Sequence, residues 1–254
     1  MARSYMEDYR NYFYNLKRYG LNLSSKEIKG SIITILVTAF VFSFRDWGDN
    51  TFNFLTGLMN FGIAALLAAI ALFWNQLGQR LIGVYYGYDT EYEASSIGIM
   101  LSLVVAFASR GYLVFIMPGY VVVHMLAASR LGEFRYYTNL WEWAKTLWGG
   151  PLFNFLFACF VKIVLPMDVI IFKKLLLMNI FFAVYSLVPM PNNPGMFMFW
   201  YHKYFWGFAC GFIIGGCALL WFTNGWIALI GACICGLIAI WSYFISSDGM
   251  LNFK

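Results

Sequence analysis

Apolar residues run in long blocks along this chain, divided by short polar or charged stretches. The first block, Ile32 to Phe44, with its polar first turn reaches the ~20 residues that cross a hydrocarbon core of about 30 Å. Ser24-Ser25-Lys26-Glu27 just before it reads as a capping box, the Ser24 hydroxyl and the Glu27 carboxylate each accepting from the other's backbone N–H. Arg45 to Asn50 is the first turn outside. A second helix is predicted from near Phe52 to about Tyr86, too long for a simple span, so its last turns leave the bilayer or are wrapped by protein. Tyr88 to Glu93 then turns acidic. Two short apolar runs follow, Ile97 to Ala108 and Tyr112 to Val123, split by Arg110-Gly111 and Pro118-Gly119. The second is rich in β-branched and aromatic residues around a Pro-Gly turn. That pattern predicts strands or a re-entrant hairpin, allowed at membrane depth only where protein satisfies the backbone. Ser129 to Lys145 reads as a mixed-charge loop. Further helices are predicted over Trp148 to Val164, Ile170 to Leu187, Tyr204 to Phe222 and Trp226 to Phe244, with a Pro-Asn-rich break at Pro189 to Gly195. The fold class is a membrane α-helical bundle of about six transmembrane helices with a small membrane-associated β element or re-entrant hairpin.

Composition agrees: of 254 residues, 61% are hydrophobic and only 11% charged, well outside the range of soluble domains. The bilayer is thus the first partner. A net charge of +5 without a basic, aromatic-interleaved stripe reads as cytoplasmic loop charge and leaves nucleic acid an unlikely partner. Cys159, Cys210, Cys217, Cys233 and Cys235 all fall in apolar segments, with no zinc-knuckle or disulfide spacing. Residues 1–23 are rich in tyrosine and carry no apolar core like that of a signal peptide. They form an interfacial segment, either a helix in the membrane surface or one packed on the protein's own cytoplasmic face. With the amino terminus inside, all but four of the 17 Lys and Arg residues fall on the cytoplasmic side, the exceptions being Arg45, Lys162, Lys173 and Lys174. Both termini are then cytoplasmic.

The polar positions inside the apolar blocks carry the question of function. Asn75 and Gln79 lie four residues apart in the second helix and share a face, with Gln76 beside them, so the three amides are expected to form one patch. One reading is helix glue, since intramembrane Asn and Gln bond across helices for about 0.6 to 2 kcal/mol each. The other is a polar lining for a groove that receives a partner's segment.

Three motifs in order resemble the site-2 protease family of intramembrane zinc metalloproteases, in its archaeal and bacterial form. The family carries H-E-x-x-H at the inner end of a membrane helix, followed by Ala-Arg/Lys-x-x-Gly; here Asn75-Gln76-Leu77-Gly78-Gln79 is followed by Gly83-Val84-Tyr85-Tyr86-Gly87. The family's Gly-Pro-Leu-x-Asn opens a helix, and Gly150-Pro151-Leu152-Phe153-Asn154 matches it. Its Asn-Leu-x-Pro-x-Pro-x-x-Asp-Gly, with an Asn upstream, is similar to Asn179 followed by Ser186-Leu187-Val188-Pro189-Met190-Pro191-Asn192-Asn193-Pro194-Gly195. The Pro118-Gly119-Tyr120-Val121 turn also looks like a family feature. The resemblance covers roughly residues 24–200, a site-2-protease-like membrane core, and leaves residues 201–254 as a carboxy-terminal pair of transmembrane helices.

The resemblance implies zinc held by two His and an Asp, with a Glu as general base. This chain departs at all four positions, Asn75, Gln76, Gln79 and Pro194. Zinc sites take imidazole, thiolate or carboxylate donors, whereas Asn75 and Gln79 offer neutral amide oxygens and Pro194 no ligand atom. Gln76 takes up no proton near neutral pH. No catalytic residue, metal site or cofactor is therefore expected, and enzyme activity is doubtful. His124 and His202 come from distant segments and read as interfacial or core side chains, and Asp89, Glu91 and Glu93 as a solvated loop edge.

What the resemblance implies for function is a pseudoprotease, a non-catalytic member of the peptidase family that binds a partner's membrane segments or serves as a subunit of a membrane complex. Groove contacts would come from Asn75, Gln76, Gln79, Asn154, Asn179, Asn192 and Asn193, the last two also capping a helix end. The alternative is an active intramembrane metalloprotease that uses atypical ligands or is seen in an inactivated form. A transporter subunit is a third reading with little support, Lys162 near an outer end being its nearest relay candidate. The expected location is a prokaryotic plasma membrane. Gly211, Gly215-Gly216 and Gly231 let the last two helices pack internally or form a homo-oligomer.

Overall fold

The structure is a computed structural model that describes residues 5–20, 22–48, 52–117, 119–125 and 139–251. A short helix α1 (Tyr5–Asn15) widens into a π-turn (Leu16–Gly20) and leads to α2 (Ser25–Ser43) and the long α3 (Phe54–Tyr85). Strand β1 (Tyr88–Ala94), helix α4 (Ser96–Ala108) and strand β2 (Gly119–Met125) follow, then α5 (Leu140–Val164), α6 (Ile170–Tyr185), α7 (Pro194–Tyr201), α8 (Lys203–Phe222) and α9 (Gly225–Leu251). Among the described residues four helices are long and apolar enough to cross a membrane: α3, α5, α8 and the first 21 residues of α9. They expose large apolar side chains such as Leu66, Ile230 and Phe222, as lipid-facing surfaces do. The protein is a helical integral membrane bundle. The expected count of about six exceeds these four because α2 carries Lys26, Glu27 and Lys29 near its start and α6 has only 16 residues, about 24 Å of helix.

α3 is the central element and packs against α2, α5 and α6. Its crossing with α5 runs backbone to backbone. A Cβ on Gly78 would collide with the Gly149 carbonyl oxygen, and one on Gly149 with that of Gly78. Such close approach is the use of small residues between membrane helices. α5 begins at Leu140, with Asn139 accepting from the Trp141 N–H, so Leu140–Lys145 is helix rather than the expected loop; positions 129–138 lie outside the described residues. Gly150-Pro151 therefore sits inside α5 instead of opening a helix. Gly211 and Gly215 of α8 are covered by Ala239 and Cys235 of α9, so that stripe is used for packing within the chain.

The expected β element is an antiparallel two-stranded sheet, with Tyr88 opposite Met125 and Ala94 opposite Gly119. Its first strand is the acidic stretch that reads as a loop edge. Tyr88, Thr90 and Tyr92 are buried and alternate with Asp89, Glu91 and Glu93, the period of two that a half-buried strand requires. α4 and the extended stretch from Tyr112 to Met117 run out and back. The Ser102 hydroxyl accepts from the Met117 N–H at 3.2 Å, and the Tyr185 hydroxyl donates to the Val114 carbonyl at 2.7 Å. At the far end of this excursion the Arg45 guanidinium lies 4.0 Å over the Tyr112 ring. Gly111 adjoins Phe44 and Arg45 there, so Arg110 lies at the same end of the bundle as Arg45, whereas the expectation separated the two. Pro118 lies outside the described residues.

Half of the expected capping box forms. The Glu27 N–H donates to the Ser24 hydroxyl at 3.1 Å, but the Glu27 carboxylate turns away from Ser24. It pairs with Arg80 of α3 and accepts from the Tyr92 N–H of β1 at 3.2 Å, and both charged side chains are buried. Arg80 also donates to the Gly20 carbonyl at 2.8 Å, and the Tyr12 hydroxyl donates to the Leu81 carbonyl at 3.2 Å. The amino-terminal segment is thus packed on the carboxy-terminal end of α3.

Candidate functional site

Two of the three motifs, together with the Gly119-Tyr120-Val121 turn, meet at one small cavity of about 30 Å³, more than the ~10–15 Å³ a water needs. α3 contributes Asn75 and Gln79, one turn apart on a single face. Gly119, Tyr120 and Val121 at the start of β2 form one wall. The end of α6, with Phe182, Tyr185 and Ser186, and the turn at Asn193-Pro194 form the other. Tyr92, Ile116 and Met117 close it. Gly150 of α5 lies against the two amides from behind. A Cβ there would sit 2.8 Å from Gln79 Nε2 and 2.9 Å from Asn75 Nδ2, so glycine is what admits them.

The turn is built by its asparagines. Asn192 takes a left-handed φ of 64°, a conformation Asn tolerates better than most residues. The Asn193 side-chain amide donates to the Tyr185 carbonyl at 2.7 Å and the Val188 carbonyl at 2.6 Å, which satisfies the unwound end of α6. It makes no side-chain cap to α7, where Pro194 takes the first helical turn. Asn193 therefore caps a helix end as expected, and that end is the carboxy terminus of α6.

Of the polar side chains on the cavity wall, most are already engaged. The Tyr92 hydroxyl bonds Thr34 at 2.8 Å, Tyr120 donates to Glu93 at 2.8 Å, and Ser186 donates to the Phe182 carbonyl at 2.6 Å. Asn75 and Gln79 are different. They are 6% and 1% exposed, yet Asn75 Nδ2, Gln79 Nε2 and Gln79 Oε1 have no hydrogen-bond partner among the described residues. Buried amides in this state are costly, and the usual resolution is a bound water or ligand group.

The other sequence candidates lie elsewhere. Gln76 leaves the expected patch, because consecutive residues of a helix point about 100° apart, and donates to Ser31 of α2 at 2.9 Å. Asn154 and Asn179 are fully buried but do not line the cavity. Asn179 donates to the Leu175 carbonyl at 2.8 Å, whereas both amide atoms of Asn154 lack a partner. Asn192 is exposed. His202 caps α8 by accepting from the Phe205 N–H at 3.2 Å and packs on Trp141, while His124 lies 3.7 Å from Glu91 on the exposed face of the sheet. Among the described residues no three His, Cys, Asp or Glu side chains group as a metal site. The unpartnered polar groups of the cavity are the neutral amides of Asn75 and Gln79, and Pro194 brings no ligand atom, a set that does not fit zinc. Lys162 donates to the Leu220 carbonyl at the end of α8.

Sequence reasoning named Ser186 and Gly150 within their motifs but not as site residues, and it missed Tyr92 altogether. The alternation around Tyr92 was the available signal. Compared with known proteins, the chain matches no family model, no curated protein and no solved structure.

Proposed function

We propose that this chain is a non-catalytic membrane protein built on the site-2 protease plan, a pseudoprotease on which a membrane segment of a partner protein docks and presents a small polar group to the cavity. The observation that carries the reading is the convergence of Asn75, Gln79, the start of β2 and the Asn193-Pro194 turn on one cavity. On the family plan those positions would surround a metal and its substrate. Here they supply neutral hydrogen-bonding groups and no base, which suits binding and not hydrolysis. Membrane polar side chains of this kind face protein or a cavity and mark function.

The same plan implies six spans, with α2 and α6 added to the four longest. α2 runs 19 residues, about 28 Å, from Lys26 beside Glu93 at one end to Asp46 beside Lys174 at the other. An even count puts both termini on one side, the cytoplasmic side of a prokaryotic plasma membrane.

The test is purification from the native membrane without chelators, combined with a photoreactive residue at Tyr120 or Val121. The expected result is no zinc and a membrane protein cross-linked at that residue, with the cross-link lost when Ser186→Phe fills the cavity. Stoichiometric zinc together with chelator-sensitive cleavage of a membrane peptide would overturn the proposal and establish an active metalloprotease with atypical ligands.

A further inference from the structure

We infer that the cavity recognises a neutral amide group, presented at membrane depth by the segment that docks over it. This rests on the partner-binding reading above and names the chemistry that reading leaves open. Gln79 offers one donor and one acceptor, both buried and unpartnered, and Asn75 adds a second donor. A carboxamide or a peptide group presents the complement, one carbonyl acceptor and one N–H donor, and closes the pair of bonds with Gln79. The remaining polar side chains on the cavity wall already have partners, so Asn75 and Gln79 are the groups left to meet a guest.

Charge selects further. Among the described residues no ionised side chain lines the cavity, and it is walled by Leu72, Ile116, Met117 and Phe182, so a carboxylate or ammonium entering it would lose its hydration without a counter-charge. A hydroxyl can donate to Gln79 Oε1 and accept from Nε2, but only through one oxygen, so its two bonds are bent where the amide's are parallel and near-linear. An aliphatic side chain would leave all three atoms unmade, each at the cost of a buried unsatisfied polar group. The preference is therefore for amide over hydroxyl over alkyl, with charged groups excluded. The amide has two possible sources, an Asn or Gln side chain on a helical segment or the freed backbone of an unwound one.

The experiment measures binding of fluorescent single-span peptides to the full chain in lipid nanodiscs. One Leu-Ala peptide carries a central Asn, a second has Leu at that place, and a third has a central Gly-Pro and no side-chain amide. About tenfold tighter binding of the Asn peptide than the Leu peptide, the scale of one buried hydrogen bond left unmade, supports a side-chain amide as the ligand. The same advantage for the Gly-Pro peptide supports a backbone amide. In either case Gln79→Leu removes the advantage, and Asn75→Leu reduces it. If Gln79→Leu does not fold, the comparison of the three peptides on the unaltered chain still decides. Equal binding of all three peptides would overturn the amide inference and leave the partner-binding function standing. No binding of any peptide would overturn both.

Discussion

Replacing Arg80 by Met would leave the Glu27 carboxylate buried with only the Tyr92 N–H as partner. Removing one member of a buried ion pair costs about 3 to 5 kcal/mol, whereas replacing both by apolar residues is far less costly. Thermal unfolding in detergent should therefore show Arg80→Met well below the double variant Glu27→Leu with Arg80→Met. If the single and double variants melt together, the pair contributes nothing specific. At this scale the sequence showed Asn75 and Gln79 correctly as face-sharing amides, because one helix fixes their relation. It could not show that Gln76 would find Ser31, or that Glu27 would leave its cap for a residue 53 positions away, since those pairings depend on how helices dock.

The α3–α5 crossing depends on two glycines, and substitution separates the helices. Gly78→Ala is expected to lower stability by about 1 to 3 kcal/mol, the range for overpacking, while Gly62→Ala on the same helix, where a Cβ meets nothing within 4 Å, should be harmless. Equal melting of the two variants would refute the backbone contact. The sheet makes a pH prediction. The hydrogen bond from Lys26 holds the Glu93 carboxyl below its ordinary value, so its stabilisation is present above that ordinary range and is lost as pH falls through the lowered one. Burial raises Asp89, the opposite sign, so its contribution is favourable when protonated and is lost as pH rises through the raised value. At neutral pH Asp89→Asn should stabilise slightly and Glu93→Gln should destabilise slightly, read as melting temperature against pH. The helices were legible as apolar blocks. β1 was not, because its charges drew the reading toward a loop although they fall only on alternate positions.

Across the whole molecule, the Asp46–Lys174 ion pair at 2.5 Å ties the end of α2 to the start of α6, and Lys26 marks the opposite end of α2. Cysteines introduced at Gly48 and Asp168 should be labelled by an impermeant maleimide from one side of the membrane, and a cysteine at Lys26 from the other. Labelling of all three from one side would rule out α2 as a span. Membrane character was plain in composition, but the span count was not, because a charged first turn on α2 and a 16-residue α6 make both marginal by length and hydropathy. The Glu27–Arg80 pair also bears on biogenesis. On the six-span reading proposed above, neither charge is matched until both α2 and α3 are in place, which favours their insertion together as a hairpin over one at a time.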